Sequence, residues 1–342
     1  MAVTHYQNVP INTLTTAERQ GAGFVPIPDA VRIVYSAEIL FSALPALKFD
    51  PFTTKRTELG VQPGKTIAIP RLGNIRRGGR LIEGERIKTQ GMSTAMAQIS
   101  VGERGNAIGM TEFLLQTSFY DQMSMASAHL GRDMTVVLDL EIRDAVLQTT
   151  NIVRGDGATV GVEAASRGLI HAVNGIFNTR MVKDMVETLE TNSVPKFDGD
   201  YYICFIHPHQ ARTLRDDDDW VNAQLYANTG GVFNGELGRY EDVRFISTTV
   251  MPNGANNAVD TETGDYVDFG YDTALDGSGA SSSDIYQSVM FGENAVGHAL
   301  SLPVELRDNG VTDFGREHAL AWYGIWGTEL MENGNAVVGE ST

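Results

Sequence analysis

The chain has almost no cysteine, no long apolar run and no excess of basic residues. Its single cysteine, Cys204, excludes an internal disulfide, and synthesis in the cytoplasm is the default expectation. The same cysteine lies in the apolar run YYICFI, which predicts a buried and unreactive thiol. No stretch approaches the roughly 20 apolar residues of a membrane-spanning helix, and the first residues lack the basic-then-apolar pattern of a secretory signal. We expect no membrane partner.

Signatures of common enzyme classes are missing too. The sequence contains no Gly-x-Ser-x-Gly elbow, no HExxH pair and no dinucleotide-binding fingerprint. The stretch GVQPGKT, residues 60–66, has three residues between its glycines where a phosphate-binding loop needs four. We interpret it as a turn. These absences favour a protein that is not an enzyme and that needs no cofactor.

The strongest candidate for a metal site follows the run YYICFI. Its side chains are those of His207, His209, Asp216, Asp217, Asp218 and Asp219. A third zinc ligand at the usual spacing is lacking. Consecutive residues of a helix point about 100° apart, so the four aspartates do not converge on one ion. We predict an acidic surface that is solvated or meets a partner. A metal-dependent hydrolase that uses these six residues stays open as an alternative.

Charge is unevenly distributed along the chain. The whole sequence carries 26 Lys and Arg against 43 Asp and Glu, a net charge of −17, which argues against a free nucleic-acid-binding protein. Residues 55–104 alone carry 10 basic against 4 acidic residues. A basic segment on an acidic chain suits either phosphate groups or the acidic surface of a neighbouring copy. A nucleic-acid-binding module through residues 55–104 is therefore a second alternative.

The first half of the chain changes pattern several times. Prolines punctuate residues 1–55, where only residues 29–44 have the apolar spacing of a helix. Residues 56–112 alternate as short strands around a Gly-rich basic stretch, which predicts a long polar hairpin. Apolar residues, Phe119 among them, then recur about every 3.6 positions over 118–150. This spacing predicts a long spine helix with a possible break at Gly131, and residues 168–189 predict a second helix.

Strands dominate the second half of the chain. The runs YYICFI and VRFISTT predict two core strands, and His207-Pro208 predicts the turn that begins a helix. Residues 253–284 contain seven acidic residues and no Lys or Arg, which predicts an exposed acidic loop. The stretch LAWYGIWGTELM predicts a buried strand. This mixed order, without a regular βαβ rhythm, indicates an α+β fold.

Several segments in a fixed order resemble a known family. They are LIEGERI, VGERGNAIGMTEF, FIHPHQARTLRDDDDWVNAQLYAN, VFNGELGRYEDVRFISTT, MFGENAVGHAL and LAWYGIWGTELMENGNAVV. With them the chain resembles the major capsid proteins of tailed bacteriophages over roughly residues 25–335, and within these it is most similar to the family of the podophage N-four coat protein. It departs from that family in the pair Trp322-Tyr323, where Trp-Lys is expected, and in the long acidic loop.

The resemblance implies the Hong Kong 97 fold and a mechanical function. The expected parts are an N-terminal arm (1–55), an extended loop (56–112), a peripheral domain with the spine helix (113–165 and 298–342) and an axial domain (166–297) with an exposed acidic loop (253–284). Hexamers and pentamers of the chain would form an icosahedral head around double-stranded DNA, which they contact non-specifically. The resemblance further implies a virion component assembled in the host cytoplasm. A portal protein and a scaffold or decoration protein are expected partners.

Two charged surfaces are the predicted contacts between subunits. The basic loop is expected to lie across the acidic spine region of an adjacent copy, and its basic residues are Arg71, Arg76, Arg77, Arg80, Arg86 and Lys88. The acidic run of Asp216, Asp217, Asp218 and Asp219 is expected to face neighbouring subunits. Opposite charges that become partly desolvated in such contacts favour pairing and fix its register.

Overall fold

The computed structural model describes residues 48–58, 64–72, 75, 77–80, 83–84, 86–87, 89–221, 238–255, 270–276, 284–313 and 316–342. The predicted helix at 29–44, Arg76, Lys88 and most of the acidic loop at 253–284 lie outside these residues, as does most of the turn at 60–66.

Twelve strands and four helices make up the described part of the chain. The strands are β1 (Thr54–Arg56), β2 (Thr66–Leu72), β3 (Thr94–Ser100), β4 (Gly102–Thr111), β5 (Ile152–Arg154), β6 (Tyr202–Ile206), β7 (Arg239–Tyr240), β8 (Val243–Ser247), β9 (Tyr286–Phe291), β10 (Val296–Thr312), β11 (Glu317–Leu330) and β12 (Ala336–Ser341). The helices are α1 (Glu112–Thr117), α2 (Gln122–Leu147), α3 (Thr179–Thr191) and α4 (Pro208–Arg215). This mixture confirms the predicted α+β class.

A six-stranded sheet in the order β5-β12-β9-β6-β8-β7 forms the most buried part of the described chain. Strands β6 and β8 are the two predicted core strands, and they run parallel with Cys204 opposite Phe245. Residues of α3 and α4 pack on one face of the sheet, while the C-terminal half of α2 packs on the other. Because both faces are covered, every residue of β6 is buried, which explains why it reads as a continuous apolar run.

A second, long sheet has the order β1-β10-β11-β4 and carries the spine helix. Strand β10 has 17 residues and pairs with β11 in antiparallel register, with bulges along its length. Alternate residues of β11, Leu320, Trp322 and Trp326, are buried against Ala126 and Leu130 of α2. The run LAWYGIWGTELM therefore forms a strand as predicted, and its alternating apolar side chains cover one face of α2.

The spine helix is shorter than its periodicity predicts. It has 26 residues, about 39 Å at 1.5 Å per residue, and it passes through Gly131 without a break. It begins late because Asp121 acts as its N-cap, accepting hydrogen bonds from the backbone N–H groups of Met123 (3.1 Å) and Ser124 (3.3 Å). Phe119, which the period assigns to the apolar face, lies before the helix and is 70% exposed.

The second predicted helix is also misplaced. The sequence predicts residues 168–189, but α3 begins only at Thr179, where Asn178 caps it through a hydrogen bond from the N–H of Met181 (2.9 Å). The residues before it form turns that close on themselves. There Gly155 and Gly175 pass so close that a Cβ on Gly155 would lie 2.3 Å from the carbonyl oxygen of Gly175. A helix through this stretch would break that contact.

Strands β2 and β3 form the predicted polar hairpin, paired from Thr66 opposite Ser100 to Leu72 opposite Thr94. Strand β4 follows after one residue but joins the long sheet beside β11, so only part of the range 56–112 is a hairpin. The domain boundaries as a set stay a prediction. Among the helices of the described residues, none combines the length and apolar character that crossing a membrane requires.

Candidate assembly interface

The apolar contacts of the β2–β3 hairpin with the rest of the described chain centre on Ile99, near its base. There Ile99 is fully buried and packs with Val101 and Ala299, and with Ile67 and Ile69 of the facing strand. Beyond these residues, β2 alternates between half-buried and exposed positions and does not contain a single buried residue. The hairpin therefore exposes much of both strands to solvent, and one small apolar cluster buries its base.

The predicted basic contacts of this hairpin divide into two kinds. Arg77, Arg80 and Arg86 lie between the two strands and are exposed. Arg71 is half-buried and serves its own chain, because its guanidinium forms an ion pair with Glu332 and donates a hydrogen bond to the carbonyl oxygen of Met331 (3.3 Å). Arg71 thus braces the hairpin against the segment after β11. The exposed arginines keep their charge available to another surface.

Large apolar side chains accompany the arginines on the hairpin. Leu72, Ile75, Ile87, Met92 and Met96 are each about two-thirds exposed, with fractions of 64–68%. Exposed apolar groups of this size and number are unusual for a surface that meets only water. The excess of basic residues in this stretch predicts only a charged contact, and the isoleucine, leucine and methionine residues among them are the sequence signal for the apolar component.

The acidic residues of the spine helix are the predicted target of the hairpin. Several of them already bind partners within their own chain. Asp133 accepts hydrogen bonds from the indole N–H of Trp322 (2.8 Å) and from Asn106 (3.0 Å). Glu141 accepts one from the indole N–H of Trp326 (2.8 Å) and pairs with Arg104. These acids hold the long sheet against α2, and they contribute little to a surface for a neighbour.

Asp139, deeper in the same helix, is 1% exposed. One of its oxygens accepts hydrogen bonds from the backbone N–H groups of Lys48 (3.0 Å) and Phe49 (2.8 Å). Burial raises the pKa of this carboxyl, and the two N–H groups and the Lys48 ammonium oppose that effect. Asp139 therefore fastens the first described residues of the chain to the spine helix.

The acidic run after α4 has mixed surroundings. Asp216, Asp218 and Asp219 are exposed, and Asp219 lies 3.7 Å from the ammonium of Lys183. Asp217 is half-buried and accepts hydrogen bonds from the N–H and the hydroxyl of Thr179, both 2.9 Å long. Burial works against its ionisation, but these hydrogen bonds, one from the Asp219 N–H and the charge of Lys183 outweigh burial and lower its pKa. Asp217 ties α4 to the start of α3.

His207 and His209 take part in the hydrogen bonds that begin α4. The ring nitrogen Nδ1 of His207 accepts a hydrogen bond from the N–H of His209 (3.2 Å), and the side chain of Gln210 accepts one from the N–H of His207 (3.1 Å). This reciprocal pair caps α4. Both rings also lie against Tyr286, with centroids 5.0 and 4.4 Å away. Within the described residues, no three His, Cys, Asp or Glu side chains are close enough together to hold a metal ion.

Cys204 lies inside the six-stranded sheet and is fully buried, as its apolar surroundings predict. Burial raises the pKa of its thiol, so the reactive thiolate is disfavoured.

Comparison with known proteins finds the same fold in phage capsids. Residues 179–327, from α3 to β11, match a family model described as phage capsid protein. No curated protein matches the sequence. The capsid subunit of cyanophage Pam1 is 17% identical with a TM-score of 0.67, covering 93% of this chain and 98% of that one. The cyanophage P-SCSP1u capsid gives 16% and 0.66, covering 92% and 94%. The capsid of Helicobacter pylori bacteriophage KHP30 gives 13% and 0.65, covering 97% and 100%.

These structures share the fold over almost their whole length, although their sequences have diverged far. Neither alternative function, hydrolase or nucleic-acid-binding module, receives support from them. The N-four-type subfamily stays a prediction. The likeness to these structures shows the Hong Kong 97 fold of phage capsid subunits, and the match to the capsid family model is confined to the stretch from α3 to β11, less than half of the chain.

Proposed function

We propose that the chain is the major capsid protein of a tailed bacteriophage, and that many copies of it close into the icosahedral head around packaged double-stranded DNA. The observation that carries this proposal is the architecture: a buried six-stranded sheet, a spine helix on a long four-stranded sheet, and a separate two-stranded hairpin with exposed arginines. Capsid subunits reproduce that arrangement over 92% and 93% of the chain.

The six-stranded sheet and the hairpin have the separate roles that a shell subunit requires. A shell needs subunits that fold by themselves and contacts that are individually modest, so that wrongly placed copies can leave before the shell closes. The six-stranded sheet supplies the independent fold. The hairpin, with Arg77, Arg80 and Arg86 exposed, supplies a contact surface that buries little within its own subunit.

Further partners belong to the same proposal. Hexamers and pentamers of the chain form the shell, a portal protein occupies one vertex, and a scaffold or decoration protein assists assembly in the host cytoplasm. The DNA is contacted without sequence preference. A net charge of −17 is compatible with this position, because a motor drives the packaging and the DNA must later leave freely.

Electron microscopy of the purified protein tests the function directly. We expect regular closed shells a few hundred ångströms across. A protein that remains monomeric over a wide range of concentration and salt would contradict the proposal. A calorimetric titration with zinc, manganese and calcium on the same preparation tests the hydrolase alternative, which requires a binding isotherm.

Charge reversal tests the hairpin's part in assembly. Changing Arg76, Arg77 and Arg80 together to Glu replaces three positive charges by three negative ones on the contact surface, so we expect folded subunits that no longer form shells. The matched control changes the same three residues to Lys, which keeps the charge and should keep assembly. Shells of normal yield from the Glu variant would rule out an ionic role for this part of the hairpin.

A further inference from the structure

Five Asn-Gly pairs occur in the sequence, and their asparagines are Asn174, Asn234, Asn253, Asn309 and Asn333. In such a pair the backbone nitrogen of the glycine can attack the side-chain carbonyl carbon of the asparagine, because glycine has no Cβ to obstruct the approach. The reaction converts the amide into a carboxylate, and it requires an asparagine side chain that is free to turn towards the nitrogen. Asn234 lies outside the described residues, so the structure describes the other four.

Three of these four asparagines are held in place. Asn253 is 1% exposed. The side chain of Asn333 is bonded at both ends to Thr150, since its oxygen accepts from the backbone N–H (2.8 Å) and its amide donates to the hydroxyl (2.7 Å). The amide of Asn174 donates to the carbonyl oxygen of Ala158 (3.3 Å). A side chain that must first break such contacts reacts only when the local structure opens.

Asn309 is in a different situation. Its side chain is exposed, and it makes no hydrogen bond with another described residue. It lies in a bulge of β10, since the pairing with β11 advances by one residue more on β10 between Asp308 and Val311. Gly310, in the same bulge, has a φ of +69°, a left-handed conformation that favours glycine. Because a bulge leaves its extra residue unpaired, the backbone at Asn309 is less constrained than in the flanking pairs.

A carboxylate already contacts the nitrogen that would attack. The N–H of Gly310 donates to Oδ1 of Asp308 (2.7 Å), which is within the distance required of a general base. As this nitrogen bonds to Cγ of Asn309, its proton passes to Asp308. The bond between Cγ and the side-chain nitrogen then breaks, and that nitrogen takes a proton from Asp308 and leaves as ammonia. The product is a cyclic imide, which water opens at either carbonyl to give aspartate or isoaspartate.

We propose that Asn309 is a site of self-modification, where the amide is lost by attack of the Gly310 nitrogen with Asp308 as the general base. Each event adds one negative charge to the end of β10. The isoaspartate product also adds one carbon atom to the backbone inside the bulge. The proposal concerns the folded subunit and is independent of the proposed shell function.

Peptide mapping by mass spectrometry, with enzymatic methylation to detect isoaspartate, tests the site on folded protein incubated at neutral pH. We expect Asn309 to lose its amide at least about tenfold faster than Asn253, which reacts only after local opening. Asp308→Asn should slow the loss at Asn309 by at least about tenfold. His318→Gln is the matched control, because Nε2 of His318 lies 3.0 Å from the same carboxylate. It removes that partner, keeps the base and should leave the rate close to that of the wild type.

The outcomes separate the site from its base. Amide loss at Asn309 that is no faster than at Asn253 would overturn the site. Equal rates for the wild type and Asp308→Asn would overturn the role of the carboxylate. The same two proteins unfolded in urea should react at similar rates, because the contact between Asp308 and Gly310 belongs to the folded bulge. A slowing by Asp308→Asn that persists in urea would assign the effect to the local sequence and contradict a base positioned by the fold.

Discussion

The six-stranded sheet and the β2–β3 hairpin use similar residues in opposite ways. Strands β6 and β12 are buried at every position, whereas β2 has no fully buried residue. Even the charged residues differ. Glu340 of the sheet is completely buried and is matched inside the chain by Arg154, Arg167 and the side-chain amide of Gln287. By contrast, Arg77, Arg80 and Arg86, between the hairpin strands, are exposed to solvent.

The difference separates the residues that stabilise their own subunit from those that are available to contact another subunit. A buried carboxylate whose oxygens are all bonded stabilises one arrangement of its own subunit, whereas an exposed arginine contributes little to that subunit's stability. The sheet should therefore govern the free energy of unfolding, and the hairpin should govern assembly. Substitutions in the two regions can break or sharpen this separation.

The largest effect on stability is expected for Phe205→Ala. Phe205 is fully buried in β6, stacks on Phe49 with ring centroids 3.8 Å apart and lies 5.9 Å from Phe291. Removing its ring leaves a cavity between the sheet and α2, at a cost of about 3–5 kcal/mol in unfolding free energy. Urea unfolding of the unassembled subunit measures it. Met96→Ala in the hairpin is the control, with a change of about 0.5 kcal/mol or less. Equal losses of unfolding free energy for Phe205→Ala and Met96→Ala would contradict the difference in stability between the sheet and the hairpin.

A medium effect is expected for Asp217→Ala. The variant loses two hydrogen bonds to Thr179 and should lower the unfolding free energy by about 1–2 kcal/mol, as for the loss of a helix cap. Because the pKa of Asp217 is lowered, its contribution is present above the ordinary pKa of 3.8 and disappears as the pH falls through the lower, folded value. The matched control is Asp218→Ala, because Asp218 is exposed. If Asp218→Ala lowered the unfolding free energy as much as Asp217→Ala, the effect would come from removing a negative charge and not from the hydrogen bonds to Thr179.

Much of the sheet could be predicted from the sequence, because its signals are local. A continuous apolar run needs two covered faces, which identifies β6, and His-Pro before an apolar spacing identifies the start of α4. The periodicity of α2 is equally visible. Its first residue is not, because Asp121 competes with the apolar period and Phe119 fits the period while lying outside the helix.

The candidate interface was less predictable because it depends on pairs far apart in sequence. Asp133 meets a tryptophan 189 positions away, and Asp139 meets backbone groups 90 and 91 positions before it. Nothing in the spacing of these acids distinguishes them from solvent-facing ones such as Asp144, whose side chain is 59% exposed. The sequence therefore indicates how acidic the spine helix is, but not which of its acids remain available to a neighbour.

A smaller, pH-dependent effect is expected at His298, where β10 meets the first described residues. Burial lowers the pKa of its ring, and Lys55 acts in the same direction, while Asp50 (3.4 Å from Nδ1) and Glu141 oppose them. The folded state therefore binds the proton less readily than the unfolded one. Its contribution is complete above the ordinary pKa of 6.5 and is lost as the pH falls towards the folded value, at no more than about 1.4 kcal/mol per pH unit.

Unfolding curves between pH 7.5 and pH 5 for the wild type and for His298→Gln measure this contribution. The wild type should lose stability more steeply with falling pH than the variant does. His129→Gln, at an exposed position of α2, is the control and should follow the wild type. Parallel curves for His298→Gln and the wild type would show that another group carries the pH dependence.

The smallest effect on stability, and the clearest separation of the two regions, is expected for Arg77→Gln with Arg80→Gln. Both side chains are exposed, so the unfolding free energy of the subunit should change by about 0.5 kcal/mol or less. Their contribution to assembly should depend on salt, because the screening length falls from about 8 Å at 0.15 M to about 3 Å at 1 M. We expect the wild type to lose part of its shell yield between these concentrations and the variant to start low and change little. The yield that survives high salt measures the apolar part of the contact, which Ile87→Ser should abolish. A wild-type yield indifferent to salt would assign the whole contact to those apolar side chains and leave the arginines without a part in it.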